Sequence, residues 1–253
     1  QVPHGLRDIL AERFQLPQDQ VRCIAPDVGG GFGVKGMIYA EDILVPLLAR
    51  ELKRPVRWVE DRREHFLAST HAREQIHDVE IAAGADGRIL AFRDDILVDQ
   101  GAYSPTGLIG PYNTVAHLFG MYDIPSCDVR ARAVMTNKTP HAPYRGAGRS
   151  EAVFAMERMI ERVAAELGLD PAEVRLRNLV PAGAMPFDTG LLYRDGQPLV
   201  YDSGDYPHMF RRALELLDYD RWRREQVQAW TEGRYLGIGL ASYVEGTGIG
   251  PFE

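Results

Sequence analysis

Cysteine is scarce in this sequence: 253 residues contain two, Cys23 and Cys127. Neither lies in a Cys-x-x-Cys pair or a Cys/His cluster, so the chain by itself holds no zinc and no iron–sulfur cluster. A reducing, cytoplasmic compartment is the expectation. A basic excess is missing too. There are 29 Lys and Arg against 36 Asp and Glu, a formal charge of −7. With no basic stripe to neutralise phosphates, a nucleic-acid partner is excluded. No apolar run is long enough to span a bilayer, and the first residues do not read as a signal peptide. Low-complexity tracts and internal repeats are lacking, and 45% hydrophobic with 26% charged residues describes a folded chain. An initiating methionine is also absent. The sequence starts at Gln1 and stops in the Gly-rich run GTGIGPFE, so it is expected to be a segment of a longer polypeptide.

Glycine, by contrast, is concentrated. Residues 27–36 read DVGGGFGVKG directly after the apolar run VRCIAP. Four glycines allow positive φ and let backbone N–H groups face an oxygen-rich ligand. A strained connection without a ligand fits the loop equally well. The phosphate-loop patterns fail: GGGFG is not GxGxxG, no acidic residue follows at the end of a second strand, and Lys35 is followed by Gly36 rather than Ser or Thr. A second cluster, HAPYRGAGRSEA, places Arg145 and Arg149 around a Gly-Ala-Gly turn just before a helix. Helix amides and guanidinium groups suit an anion, although both arginines could instead pair with surface carboxylates.

Periodicity predicts helices over residues 5–14, 39–52, 150–167 and 207–217. In the second of these, Ile43, Leu44, Leu47, Leu48 and Leu52 are expected to face the core. Ser150 is the expected cap of the third helix, with Gly168 ending it. Asp170 caps a short helix that has Pro171 at its first position. The mixed-sign run at 60–64 reads as a solvated helix start. Strands are expected at 20–25, 55–59, 127–134 and 235–244, with a hairpin formed by 75–83 and 88–98 around ADGR. The expected fold class is therefore α+β, a mixed α/β arrangement, rather than a doubly wound parallel sheet. A weak boundary falls near residues 181–205. His71 and His117 stand alone, without ligand-spaced partners, and read as hydrogen-bonded structural histidines.

Taken together the two loops are far more specific. With QVPHGLRDIL, APDVGGGFGVK, RPVRWVEDRREHF, TNKTPHAPYRGAGRSEA, MERMIERVAAELGLDPAEVRLRNL and YVEGTGIGPFE in this order, nearly the whole chain resembles the molybdenum-binding large subunit of the molybdenum hydroxylases, the xanthine dehydrogenase, aldehyde oxidase and carbon monoxide dehydrogenase family. The resemblance implies molybdenum held through the dithiolene of a molybdopterin, often a cytosine dinucleotide in bacteria, with no direct protein ligand to the metal. It implies hydroxylation of a carbon with oxygen from water, and electron transfer to 2Fe–2S and FAD carried by an iron–sulfur subunit and a flavin subunit, in a dimer of heterotrimers. By resemblance, Gln1, Gly30, Gly31, Phe32, Gly33, Arg145 and Gly146 contact the cofactor. Residues 1–180 would be the first part of the molybdenum-pterin-binding domain, and 181–253 the continuation into a second cofactor-binding subdomain.

The chain departs from the best-known members at the substrate pocket. Four positions that handle purines in that family are Gly36, Asn113, Ala147 and Ile249 here. A flat purine would lose its ionic partners and stacking face, so xanthine is not the expected substrate. Gly146 stands where the copper-containing carbon monoxide dehydrogenases have cysteine, and glycine offers no copper ligand. An aldehyde or an N-heteroaromatic compound remains. The family's general base is a glutamate near the far C-terminus. Glu245 and Glu253 lack its context, so the base is expected beyond residue 253. Two other readings stand beside this one. The first is a catalytically incomplete, structural or dimerising fragment that binds no cofactor alone. The second is an unrelated nucleotide-binding protein using GGGFG.

Overall fold

A computed structural model describes residues 2–193 and 195–246. The chain divides into two compact units. The first comprises Gln1–Glu74, Asp99–Gly110 and Ala133–Ala147, and the second Gln75–Val98, Pro111–Arg132 and Gly148–Glu253.

In the first unit, helix α1 (Pro3–Phe14) begins with a proline whose missing N–H costs nothing in the first turn, and Gln15 ends it in the left-handed conformation. Helix α2 (Ala40–Leu52) follows the glycine loop. Asp42 reaches back to accept the Tyr39 N–H at 2.9 Å, which satisfies a donor the helix cannot. Helix α3 (Arg62–Ala68) starts with a reciprocal capping box between Asp61 and Glu64, both bonds 2.8 Å.

The second unit carries the core. Strands β1 (Gln75–Ala83) and β2 (Ile89–Asp99) form the expected hairpin, and β3 (Cys127–Val134) extends the antiparallel pair to a sheet of order β1-β2-β3. Between β2 and β3 in sequence lies α4 (Ile109–Ala116), which no sequence pattern had singled out. Helix α5 (Arg149–Leu167) packs on β1 and on α6 (Pro171–Asn178). Ala152, Met156, Ile160 and Val163 of α5 bury against Phe92, Leu118, Tyr122 and Val174. Phe92 and Phe119 meet edge to face at 5.8 Å, the arrangement the ring quadrupoles favour. The two-stranded pair β4 (Phe187–Leu192) and β5 (Pro198–Tyr201) follows, then α7 (Tyr206–Leu217) and α8 (Tyr219–Thr231).

One buried polar network of this core joins Arg175, Glu157, Glu161 and Tyr122. Arg175, with no exposed side-chain surface, bonds Glu157 and Glu161 at 2.8 Å each and donates to the carbonyls of Pro171 and Leu240. Tyr122 donates to Glu157 at 2.6 Å. Burial, and then the adjacent Glu157 charge, push the Tyr122 hydroxyl well above the ordinary phenol range.

The mixed fold class holds, and so do Gly168 and Asp170 as caps. Several details differ. Gly148, at φ 94°, occupies the N-cap of α5, so Ser150 already lies inside the helix. Leu44, Leu48 and Leu52 of α2 are about half exposed rather than core-facing. The segments at 20–25, 55–59 and 235–244 form no ladder with any described residue. β-propensity describes a side chain's fit to a pleated surface and supplies no partner strand.

Candidate functional site

The glycine loop and the arginine loop both belong to the first unit, and the structure brings them together. The Arg145 N–H donates to the Phe32 carbonyl at 2.8 Å, and the Arg145 guanidinium lies 5.7 Å above the Phe32 ring. The Phe32 and Tyr144 rings are 6.5 Å apart. Closing this contact needs unusual backbone. Gly30 (φ 140°), Phe32 (φ 53°), Gly33 (φ 97°), Gly146 (φ 105°) and Ala147 (φ 51°) all have positive φ. A Cβ on Gly33 would come within 2.2 Å of the Pro143 carbonyl oxygen, and one on Gly30 within 2.4 Å of the Phe32 ring. Conformation favours glycine at both positions, and at Gly33 the fixed Pro143 backbone leaves no space for a side chain either. The single turn Val34–Gly36 closes the loop, with the Tyr39 hydroxyl donating to the Val34 carbonyl at 3.0 Å.

Two features of this cradle suit an oxygen-rich anion. The N–H groups of Gly30, Gly31 and Phe32 donate to no other described residue. The Arg145 guanidinium makes no ion pair with a described residue. Phe32 is 51% exposed, so the surface is open to a ligand. Adjacent amides beside a guanidinium form an anion-binding concavity with no need of a metal ligand. Among the described residues, no three His, Cys, Asp or Glu side chains cluster to hold a metal.

Arg73 supports the arginine loop and no sequence pattern pointed to it. Its guanidinium sits 5.5 Å above the Tyr144 ring and donates to the Arg145 carbonyl. It lies 72 residues away in sequence, so only the fold could reveal it. The segment entering the loop is pinned by His71 and His141, which form an isolated parallel bridge. Behind it, Asp99 accepts from the Thr136 hydroxyl at 2.7 Å and the Gly101 N–H at 2.8 Å, and pairs with Lys138 at 3.2 Å. The Thr136 bond first, then the Gly101 amide, hold the Asp99 carboxyl below its ordinary range.

The remaining expected residues are placed as follows. Gly36 is half-buried with open space around it, and Ala147 follows Gly146 in the arginine loop. Asn113 belongs to the second unit, buried on α4. There its carbonyl accepts from His117 Nδ1 at 2.8 Å, while His117 Nε2 accepts from Arg149 Nε at 3.2 Å. His117 is thus the hydrogen-bonded histidine expected, and His71, with Nε2 3.3 Å from the Phe66 carbonyl, is another. Arg149 also lies 3.9 Å from Glu245, so it is engaged by protein groups and is not shown as part of the anion cradle. Gln1, Ile249 and Glu253 lie outside the described residues.

The two loops thus form a candidate anion cradle, built from backbone amides and a guanidinium, in a chain of mixed helix and strand. The chain belongs to the molybdopterin cofactor-binding domain family, whose model matches residues 1–179. It is 39% identical, over 99% of its length, to the 6-hydroxypseudooxynicotine dehydrogenase complex subunit gamma of Paenarthrobacter nicotinovorans, covering 32% of that protein. It is 36% identical to the carbon monoxide dehydrogenase large chain of Hydrogenophaga pseudoflava, covering 99% of this chain and 31% of that one. The crystal structure of quinoline 2-oxidoreductase from Pseudomonas putida 86 superposes with a TM-score of 0.86 at 37% identity, over 95% of this chain and 30% of that one. The chain therefore spans about a third of the length of these relatives. The relatives are large subunits of molybdenum-dependent oxidoreductases. Among the described residues, no helix is long and apolar enough to cross a membrane.

Proposed function

We propose that this chain is the part of a molybdenum hydroxylase large subunit that grips one side of molybdopterin, and that the whole enzyme hydroxylates an N-heteroaromatic or aldehyde carbon. The observation that carries the reading is the Phe32–Arg145 clamp, with its adjacent amides directed at no described protein group and a guanidinium that pairs with no described carboxylate. Gly30, Gly31, Phe32, Gly33, Arg145 and Gly146 hold the oxygen-rich portion of the cofactor, with Gln1 as a further contact. The residues present fit such a group: they offer donors and positive charge and, at Gly33, leave no room for a side chain. Bound molybdenum would supply two-electron redox chemistry. This chain's own residues bind and orient.

An N-heterocycle is supported by those relatives whose names include nicotine, nicotinate or quinoline; others are named for carbon monoxide or xanthine, and the departures at the substrate-handling positions weigh against these. On this reading Gly36, Asn113, Ala147 and Ile249 are the substrate-handling positions, which is why xanthine is not the substrate, and Gly146 offers no copper ligand, which is why carbon monoxide is not. The general-base glutamate lies beyond residue 253, and this segment is inactive alone. The cofactor carries a cytosine dinucleotide, and 2Fe–2S and FAD reside in partner subunits of a cytoplasmic dimer of heterotrimers. Residues 1–180 open the cofactor-binding domain, a division supported by the family match ending at residue 179, and 181–253 lead into a second subdomain.

The test purifies the complete polypeptide from its source and measures molybdenum content and turnover of N-heterocycles, aldehydes, xanthine and carbon monoxide. Near-stoichiometric metal is expected. Arg145→Ala removes a charge-assisted bond of about 1.5–3 kcal/mol, so cofactor retention should weaken roughly 10- to 150-fold. A native enzyme without molybdenum, or full retention in Arg145→Ala, refutes the reading.

A further inference from the structure

Residues 235–244, YLGIGLASYV, have every property of a β-strand except a partner. Burial alternates along them with a period of two. Leu236, Ile238, Leu240, Ser242 and Val244 turn inward, and Ile238, Leu240 and Val244 pack on the core of the second unit. Tyr235, Gly237, Gly239, Ala241 and Tyr243 turn outward and are exposed. That alternation is the mark of extended backbone lying on a surface. Yet no backbone N–H or carbonyl of this stretch bonds to the backbone of another described residue. Its anchors are side chains: Gln226 Nε2 donates to the Leu236 carbonyl at 2.8 Å, and Arg175 Nη2 to the Leu240 carbonyl at 3.0 Å. Leu236 and Leu240 are of one parity. In an extended strand, residues of opposite parity direct their N–H and carbonyl groups to the other edge, so the groups of Gly237, Gly239, Ala241 and Tyr243 are left open.

The outward glycines point the same way. Neither Gly237 nor Gly239 has positive φ, and a Cβ added to either would meet nothing within 4 Å. This chain's own fold therefore does not need glycine there. Glycine inside a strand often marks a bulge, a tight bend or a close approach by a ligand or another backbone, and the absence of positive φ here favours the close approach. The Gly30 and Gly33 positions of the same chain, where glycine is needed internally, make the contrast plain.

We infer that residues 235–244 are a receiving edge for a second β-strand, supplied by the part of the polypeptide that relatives about three times longer carry outside the matched region. The incoming strand pairs with the open edge, and its chain or a layer behind it lies over the small outward face of Gly237, Gly239 and Ala241. A neighbouring subunit or a second copy fits less well. A row of unpaired backbone groups left for intermolecular contact is an aggregation hazard that chains cover with their own elements. The relatives, about three times longer, carry such elements outside the matched region.

The test uses the complete enzyme. Hydrogen exchange followed by mass spectrometry should show the peptide 235–244 protected by ~100-fold or more over its intrinsic rate, as for a sheet interior. A photo-cross-linking residue placed at Tyr243, on the outward face, should capture a peptide of the same polypeptide from outside residues 1–253. Both results are required. Exchange at the intrinsic rate overturns the inference, and so does failure to capture that region. Capture of residues 1–253, from the same or a second copy, or of another subunit, overturns it equally.

Discussion

Gly33→Ala is the sharpest perturbation of the cradle. At φ 97° an L-residue is strained, at a cost of about 1–3 kcal/mol. The added methyl would also sit 2.2 Å from the Pro143 carbonyl oxygen, inside the carbon–oxygen contact limit by about 1 Å. That oxygen belongs to backbone just before Arg145, so no side chain can swing away. The two loops must part, lengthening the 2.8 Å bond between Arg145 N–H and the Phe32 carbonyl. Strain and overlap together come to about 2–6 kcal/mol. If all of this falls on the cofactor-competent conformation, retention weakens by at least roughly 30-fold. Gly29→Ala is the internal control, because Gly29 has neither positive φ nor any atom within 4 Å of an added Cβ. The assay is molybdenum per polypeptide in the complete enzyme, with thermal unfolding alongside. If Gly33→Ala matches Gly29→Ala in both, the cradle does not depend on the close approach of the two loops, and the reasoning fails.

Two further predictions concern the scaffold. Glu157→Ala leaves the fully buried Arg175 without its principal carboxylate and the Tyr122 hydroxyl without an acceptor. Denaturant unfolding should show a loss of about 3–5 kcal/mol, and the paired change Glu157→Leu with Arg175→Met should recover much of it; a loss under 1 kcal/mol contradicts the buried pair. Asp99 has its folded-state pKa lowered, so its contribution to stability is full above the ordinary carboxylate value of about 4 and is lost as pH falls through the lowered value. Stability measured from pH 7 to pH 2 should fall less steeply in Asp99→Asn at the acid end, and identical acid limbs would remove Asp99 from the account.

Much of the fold was legible in the sequence because it rests on local chemistry. The helix start at 60–64, Asp170 before Pro171, Gly168 as a helix end and the ADGR hairpin each follow from residues within a few positions of one another. The candidate cradle was legible in part: DVGGGFG and YRGAG announced bare backbone and a cation, and nothing in either loop states that they touch. Local pattern misled where the outcome depended on a partner. VRCIAP, RPVRWV and YLGIGLASYV have the residues of strands but no described ladder, and α2 has an apolar stripe whose Leu44, Leu48 and Leu52 stay about half exposed.

The sequence by itself thus determined which segments coil, where they stop and which backbone is free of side chains, because capping, φ preference and periodicity act over a handful of residues. Tertiary structure alone decided that Gly33 must be glycine for the sake of Pro143, that Arg73 reaches the Arg145 carbonyl, and that Glu157 neutralises Arg175. Those contacts join positions 18 to 110 residues apart. Each exists only because the whole chain has first settled its core.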